Sequence, residues 1–242
     1  MAKYPVAGRV KTRLAASVRQ RGWCDDSNAR SLAASINRRC LEQILVAIGR
    51  CPADVTVAVP DEDIDPMRRW LGVPRVVSQG TGTLGARMRH VFYQTMGERP
   101  ALMIGSDLPT VDDQTIRTAA EALRNHDCVL GPAVDGGYWL IGLTPPWRPA
   151  LESLFDGIAW STSAVMRQTL DAAKRSGLRT TLLDRRDDID DVESLLRMMG
   201  EVSPQERSGW IDLITAVPRL DRDRFKRDCD RLIAVTETPR KP

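Results

Sequence analysis

The sequence predicts an α/β fold with a mostly parallel β-sheet that helices cover on both faces. Short apolar runs typical of strands alternate with amphipathic patterns typical of helices along most of the chain. With 242 residues, 42% of them apolar, the chain is long enough to bury one full hydrophobic core. Strands spaced in this way and joined by helices favour a parallel sheet, because parallel neighbours need a crossover connection.

The predicted elements follow one another from residue 28. The first helix covers 28–48, where apolar residues occupy one face until Gly49 ends the pattern. Further helices are predicted at 64–71, 84–96, after Thr110 (with Asp113 completing a weak capping box), at 162–176 and at 191–199. Strands are predicted at 54–59, 75–78, 101–105, 127–130, 138–142 and 179–183. A tail from Ser203 has a capping-box pattern, two more helical patterns and a loose end at 236–242, so we predict a main domain at 1–200 and a helical appendage at 201–242.

Charge and composition narrow the range of partners. The net charge is +3, yet residues 1–50 hold ten Lys and Arg against three Asp and Glu. Only 5% of the chain is aromatic, which favours a small phosphorylated ligand over a nucleic acid. The sequence shows no apolar run of membrane-spanning length, no signal-peptide layout at its start and no C-x-x-C pair among its five cysteines. These features predict a cytoplasmic protein without a membrane span, a disulfide framework or a structural zinc site.

The most informative segment is G-R-V-K-T-R-L at 8–14, which we call the basic loop. It places three cations close behind Pro5 and Gly8, namely Arg9, Lys11 and Arg13. Arg and Lys are the two side chains that grip phosphate oxygens, and a glycine lets backbone approach a ligand closely. The segment is not a Walker A loop, because no glycine precedes Lys11 in the required pattern. It predicts phosphate binding, with a solvated basic surface as the alternative.

Three acidic clusters follow predicted strands. Asp107, in G-S-D-L-P, comes where the strand 101–105 ends, so its carboxylate could reach a metal or a ribose; the alternative is a turn residue before a helix. Asp135 precedes two glycines, a pattern that also predicts a hairpin turn. The acids at 187–191 enter a helix, where they would also favour the helix dipole.

Six strings of the chain together resemble the signature blocks of a bacterial family of glycosyltransferase-like proteins. Members are described as nucleotide-diphospho-sugar transferases or arsenosugar-biosynthesis glycosyltransferases, similar in fold to GT-A glycosyltransferases and to small guanylyltransferases. The resemblance covers about residues 3–195. The strings are K-Y-P-V-A-G-R-V-K-T-R-L (3–14), L-G-A-R-M (84–88), I-G-S-D-L-P (104–109), G-P-A-V-D-G-G-Y-W-L-I-G-L (131–143), F-D-G-I-A-W-S-T-S (155–163) and D-I-D-D-V-E-S-L (188–195).

The resemblance implies roles for individual residues. It implies that the catalytic residues are Lys11, Asp107 and Asp135, and that Asp107 and Asp190 hold Mg²⁺ or Mn²⁺ on the diphosphate. The nucleotide would be bound by Pro5, Gly8, Arg9, Lys11, Arg13, Leu84, Gly85 and Arg87. The acceptor or sugar pocket would be shaped by Asp135, Gly136, Gly137, Tyr138 and Trp160. The implied partners are a nucleotide sugar or nucleotide and a small-molecule acceptor.

The chain departs from the family pattern in two places. Related chains begin with an apolar strand ahead of the basic loop, whereas Met1 lies almost at that loop, so the sheet is expected to lack its first strand and the native gene to encode roughly six to ten more residues. In the last block, Asp191 and Ser194 occupy positions where Thr and Asp are usual. The second departure makes a metal role less secure for Asp190 than for Asp107.

Other functions remain open at the sequence level. A nucleotidyltransferase would use the same residues on a nucleoside triphosphate. The string G-T-G-T-L-G at 80–85, with Asp107 beyond the next strand, formally matches a dinucleotide fingerprint and would suit an NAD-dependent oxidoreductase. A non-catalytic nucleotide-binding protein could keep the fold. His90, His126 and Cys128 are expected to be structural, and Trp160 could equally be a core residue.

Overall fold

A computed structural model describes residues 1–72 and 75–236 and divides the chain into two compact units. Unit 1 comprises Met1–Tyr4 and Gln43–Asp188, and unit 2 comprises Pro5–Glu42 and Ile189–Pro242. The helices are α1 (Thr12–Gln20), α2 (Asp26–Gly49), α3 (Ile64–Leu71), α4 (Leu84–Thr95), α5 (Asp113–Ala122), α6 (Pro149–Glu152), α7 (Val165–Arg175), α8 (Val192–Glu201), α9 (Pro204–Thr215) and α10 (Arg222–Thr236). The strands are β1 (Val57–Val59), β2 (Val76–Ser78), β3 (Ala101–Ile104), β4 (Cys128–Pro132), β5 (Tyr138–Leu143) and β6 (Thr180–Leu182).

Unit 1 contains all six strands, in two sheets. β1 and β2 pair in parallel, while the second sheet has the order β3-β5-β4-β6. In that sheet β4 and β6 are parallel, and β5 runs antiparallel to both of its neighbours. β5 is reversed because a tight turn, rather than a crossover helix, joins it to β4. The predicted α/β fold class is confirmed, with one strand of opposite direction in the larger sheet.

Helices cover both faces of the larger sheet. Successive residues of a strand point to opposite faces, and Leu130 and Val129 of β4 accordingly belong to different apolar clusters. Leu130 packs with residues of α4 and α7, including Phe92 and Ala173, and Val129 packs with residues of α5 such as Ile116. This two-sided burial is what α/β architecture requires.

The first residues of the chain contact both sheets. The Ala2 amide donates to the Ala58 carbonyl of β1 at 2.9 Å, and the Met1 ammonium donates to the Ile104 carbonyl of β3 at 2.8 Å. Ala2 is buried. Residues 1–4 therefore belong to the sheet region of unit 1.

Unit 2 is helical and includes the tail. Its core brings residues of α9 and α10 together with those of α1 and α2, and Trp210 and Ile214 of α9 are fully buried. Trp23 packs edge-on against Phe225 of α10, with their ring centroids 5.0 Å apart. The Trp23 indole Nε1 donates to Asp228 Oδ2 at 2.8 Å. The units follow a different division from the predicted domains at 1–200 and 201–242, which stay a prediction. The loose end predicted after residue 236 lies outside the described residues.

Two helix starts illustrate how well local signals predict boundaries. The box predicted at Ser203 is confirmed, because its hydroxyl accepts from the Glu206 amide while the Glu206 carboxylate accepts from the Ser203 amide. The cap predicted at Thr110 is wrong. Asp112 caps α5 instead, because it directly precedes the helix and its carboxylate accepts at 2.8 Å from the amide of Thr115, the N3 residue. None of the described helices combines the length and the hydrophobicity that a membrane span requires.

Candidate functional site

In unit 2, the basic loop leads directly into α1. Gly8 has a φ of 82° and Lys11, the residue before α1, has a φ of 44°, so the chain turns twice through the left-handed region. Val10 is buried and pins the loop, whereas Gly8 and Arg9 are exposed. Among the described residues, Lys11 is the N-cap of α1, and its side chain does not cap the first amides of the helix. The N-terminus of α1 carries partial positive charge, with Arg9 and Lys11 before it and Arg13 in its first turn, so this region is suited to an anion.

The basic loop contacts the segment that precedes α8. Lys11 Nζ donates to the Ile189 carbonyl at 2.6 Å, and Arg13 Nη1 forms an ion pair with Asp190 Oδ2 at 2.9 Å. The Arg13 and Asp190 side chains are 81% and 45% exposed, so this pair is open to exchange with a ligand. The structure thus brings together three of the predicted site residues, Lys11, Arg13 and Asp190. Metal binding by Asp190 stays a prediction.

The departure at Asp191 and Ser194 has a structural reason. Asp191 accepts from the Ser194 amide at 2.8 Å, and the Ser194 hydroxyl accepts from the Asp191 amide at 3.0 Å, which forms a complete capping box for α8. Burial opposes ionisation of Asp191, but hydrogen bonds from Ser194 outweigh it and lower the pKa of the carboxyl. The exchanged residue types therefore preserve the start of the helix.

In unit 1, Asp107 lies just beyond the carboxyl end of β3, as predicted. The Gly105 amide donates to the Trp139 carbonyl of β5 at 2.9 Å, and Leu108 is buried among the residues packed by α5. Asp107 itself is half-buried. Burial lowers the pKa of the Met1 ammonium to about 6, and the Asp107 carboxylate partly opposes that effect, so these two charged groups are neighbours. The carboxylate stands where ligands of open α/β sheets bind.

Asp135 occupies the turn between β4 and β5, so the hairpin interpretation is confirmed. Its Oδ1 accepts from the Gly137 amide at 2.8 Å, and its side chain is exposed. Gly136 has a φ of 90°, and a Cβ there would lie 2.4 Å from the Ser163 carbonyl oxygen. The Gly136 carbonyl in turn accepts from the Met166 amide in α7 at 2.9 Å. Backbone on both sides therefore requires glycine at 136 and fixes the turn against the start of α7.

The start of α4 faces Trp160. Thr83 caps the helix, accepting from the Ala86 amide at 3.2 Å. A Cβ on Gly85 would lie 2.4 Å from the Trp160 ring, so only glycine allows this contact. The G-x-G-x-x-G match thus owes its last glycine to an indole, which weakens the dinucleotide interpretation. Arg87, one turn on, has a buried Nε without a hydrogen-bond partner among the described residues.

Tyr138 differs from the other predicted pocket residues, because its hydroxyl lies 3.9 Å from Met88 Sδ beside an apolar cluster. Burial raises the pKa of its phenol, so the hydroxyl stays neutral at physiological pH.

The expected structural role of Cys128 is confirmed, since it is fully buried and burial raises the pKa of its thiol to about 12. The histidines lie in structural surroundings. His126 Nδ1 is 2.9 Å from the Ala122 carbonyl, and His90 packs on Gly80.

The residues of unit 1 fit a divalent cation that arrives with phosphates. Among the described residues, no three His, Cys, Asp or Glu side chains form a group that could hold a metal ion. Mg²⁺ is commonly bound by one or two carboxylates together with substrate phosphates and water, rather than by a cage of protein ligands. A single partly exposed carboxylate, Asp107, matches that donor set.

Sequence reasoning missed one polar residue in this region, Arg186. Its guanidinium donates to the Thr110 carbonyl at 2.6 Å and to the Thr115 hydroxyl at 2.9 Å. It also lies over the Trp139 ring, with Cζ 5.4 Å from the centroid. The only sequence signal was a pair of arginines at 185–186, which is normally a solvated surface.

Comparisons with known proteins concern the family and the fold of the chain. Residues 44–162 match the model of a family described as "Uncharacterized protein conserved in bacteria (DUF2064)". The structure is similar to the crystal structure of a protein from Desulfovibrio desulfuricans G20 described as a "putative nucleotide-diphospho-sugar transferase". The two share 28% identity and superpose with a TM-score of 0.77 over 89% of this chain and 91% of the other. The resemblance inferred from the sequence is confirmed. No curated protein matches the chain.

Proposed function

We propose that the chain is a metal-dependent glycosyltransferase that binds a nucleoside diphosphate sugar and transfers the sugar to a small acceptor in the cytoplasm. The observation that carries the proposal is the structural likeness, over 89% of the chain, to a protein described as a "putative nucleotide-diphospho-sugar transferase". The position of Asp107 beyond β3 supports it, because this carboxylate lies where an α/β sheet binds its ligand.

The chemistry requires a diphosphate to leave with its negative charge neutralised. Arg9, Lys11 and Arg13, with the N-terminus of α1, provide positive charge for phosphate oxygens in unit 2. Asp107 would hold Mg²⁺ or Mn²⁺, and the bound cation would supply Lewis-acid stabilisation of the leaving group. Asp190, now paired with Arg13, is the second proposed carboxylate.

Unit 1 supplies the groups proposed for the acceptor or sugar. Asp135 is exposed on a turn that the Gly136 backbone fixes in place, so its carboxylate can meet an acceptor hydroxyl without a large loss of order. Trp160 is half-buried on Gly85 and presents an apolar ring, a surface on which sugars and bases pack. Leu84, Gly85 and Arg87 are the nucleotide-binding residues proposed at the start of α4.

A thermal-shift panel tests the proposal. Nucleotide sugars, nucleoside triphosphates and NAD are each added with and without Mn²⁺, because a ligand that binds only the folded state raises the melting temperature. We expect the largest rise with one nucleotide sugar plus Mn²⁺. A larger rise with a triphosphate would favour nucleotidyl transfer, and a rise with NAD alone would favour an oxidoreductase.

Two pairs of variants assign the residues. Asp107→Asn is nearly isosteric but gives a cation no charge, so it should abolish the Mn²⁺-dependent part of the shift, whereas Asp54→Asn, an exposed acid ahead of β1, should retain it. Lys11→Ala should weaken the binding of diphosphates more than that of the bare nucleoside, because Lys11 is proposed to meet phosphate oxygens. The control is Arg19→Ala, in the last turn of α1, which should not have this effect. Equal loss for diphosphate and nucleoside would indicate a folding effect.

A further inference from the structure

Arg186 contacts two segments of unit 1, the one that carries Asp135 and the one that carries Asp107. Its amide donates to the Pro132 carbonyl at 3.0 Å, and its carbonyl accepts from the Val134 amide at 3.0 Å. It thereby forms an isolated parallel bridge with Ala133, the residue that follows β4 and leads into the Asp135 turn. The backbone of Arg186 is thus fixed to one acidic segment before its side chain makes any contact.

The side chain reaches the other acidic segment. Nη1 donates to the Thr110 carbonyl, three residues after Asp107, and Nη2 donates to the Thr115 hydroxyl in the first turn of α5. That hydroxyl in turn donates to Asp112, the residue that caps the helix. The guanidinium thus joins the end of the Asp107 loop (residues 105–110) to the first turn of α5 through two acceptors at once, which needs the planar fork of Arg.

Trp139 completes the arrangement. Its ring lies under the Arg186 guanidinium, its indole Nε1 donates to the Asp184 carbonyl at 3.3 Å, and its own carbonyl accepts from the Gly105 amide. The Asp107 loop is therefore anchored at its start by Trp139 and at its end by Arg186. Both anchors belong to segments adjoining the Asp135 turn, so together they fix Asp107 relative to that turn.

We propose that Arg186 is a positioning residue that holds the Asp107 loop in the conformation in which its carboxylate receives a divalent cation. The functional half of this inference rests on the proposed transferase, and the structural half does not. Lysine would keep the charge but lose the second hydrogen bond and the flat contact with Trp139. Arg186→Lys is therefore the informative variant. Its matched control is Arg185→Lys, since Arg185 is an exposed neighbour that donates only to the Val134 carbonyl among the described residues.

Hydrogen exchange tests the structural half. The amides of Gly105, Val111 and Thr115 are hydrogen-bonded and report on residues 105–116. In Arg186→Lys we expect this segment to exchange about tenfold faster, with β5 unchanged, because a local opening exposes only the segment that loses its anchor. Arg185→Lys should match the wild type. Unchanged exchange of 105–116 in Arg186→Lys would overturn the proposal. If that variant fails to fold, Thr115→Val removes one acceptor with Arg186 in place and should show the same local increase.

Mn²⁺ binding, followed by electron paramagnetic resonance with the panel member that most stabilises the wild type, tests the functional half. We expect Arg186→Lys to weaken Mn²⁺ binding about tenfold, as loss of a group supporting a ligand does, while its melting temperature changes little. Faster exchange with unchanged Mn²⁺ affinity would show a merely structural role and refute the functional half. If the wild type binds no Mn²⁺, the proposed function fails, and hydrogen exchange alone decides whether Arg186 positions the loop.

Discussion

Replacing Gly136 by alanine separates strain from steric conflict at the turn that carries Asp135. Gly136 has a φ of 90°, and a Cβ would lie 2.4 Å from the Ser163 carbonyl oxygen and 2.7 Å from its Cα. Gly177 has a φ of 67° and nothing within 4 Å of its Cβ position, so Gly177→Ala is a control with similar backbone strain and no collision.

The two contributions can be estimated separately. A left-handed conformation costs a residue with a Cβ about 1–2 kcal/mol, and overpacking costs a further ~1–3 kcal/mol. Gly136→Ala should therefore lower the free energy of unfolding by about 2–5 kcal/mol, and Gly177→Ala by about 1–2 kcal/mol. The collision involves backbone, which cannot rotate aside as a side chain can, so the estimate for Gly136 lies towards its upper end.

Urea unfolding followed by circular dichroism gives both values from the midpoints and slopes. We expect a clearly larger loss in the free energy of unfolding for Gly136→Ala than for Gly177→Ala. Equal losses in the two variants would refute the claim that the Ser163 backbone constrains the turn.

Gly85→Ala should destabilise the wild type by about 1 kcal/mol, because its Cβ would collide with the Trp160 ring. In a Trp160→Ala background the same change should be neutral or stabilising, because alanine is favoured over glycine in a helix once the indole is gone. A double-mutant cycle measures this coupling, and the absence of coupling would contradict the contact. The pKa of Asp112 is lowered chiefly by the hydrogen bond from the Thr115 side chain, so this carboxylate stabilises the fold above its unfolded pKa of about 3.9 and loses that contribution as pH falls through its folded pKa. The difference in free energy of unfolding between the wild type and Asp112→Asn, measured by urea titration, should therefore shrink in acid. A difference independent of pH would be the contrary result. Burial raises the pKa of Cys128 to about 12 and that of Cys229 to about 11, so mass spectrometry after iodoacetamide treatment at pH 8 should find both thiols largely unlabelled until urea unfolds the chain, and fast labelling of folded protein would refute this. Asp190→Asn removes the ion pair with Arg13, so nucleotide binding without metal should strengthen while nucleotide binding with Mn²⁺ weakens. If Asp190 only competes with the nucleotide for Arg13, both affinities should strengthen, and calorimetry distinguishes the two outcomes.

The sequence predicted most strands and helices because their apolar periodicity is local. It did not predict α1, whose preceding residue is Lys11 in a left-handed conformation rather than a capping Ser, Thr, Asp or Asn. It also gave no reason to join α9 and α10 to the core of unit 2, because the packing of Trp210 and Phe225 depends on partners far along the chain. The reversal of β5 was present as an alternative in the Asp135-Gly136 turn signal.

Similar limits apply to the candidate site. The place of Asp107 could be predicted, since a carboxylate after an apolar strand must lie at the edge of the sheet. Arg186 could not, because its acceptors Thr110 and Thr115 are 76 and 71 residues away in the sequence. Its role depends on which strands become neighbours, and no local pattern encodes that.

Phosphorus NMR of the products distinguishes glycosyl transfer from nucleotidyl transfer. The wild-type chain and Asp107→Asn are each incubated with Mn²⁺ and, in separate samples, with nucleotide sugars and with nucleoside triphosphates. The proposed function predicts that the wild type releases a nucleoside diphosphate from one nucleotide sugar, with water accepting the sugar in place of the natural acceptor, and that Asp107→Asn does not. Release of pyrophosphate from a triphosphate, with every nucleotide sugar left intact, would contradict it.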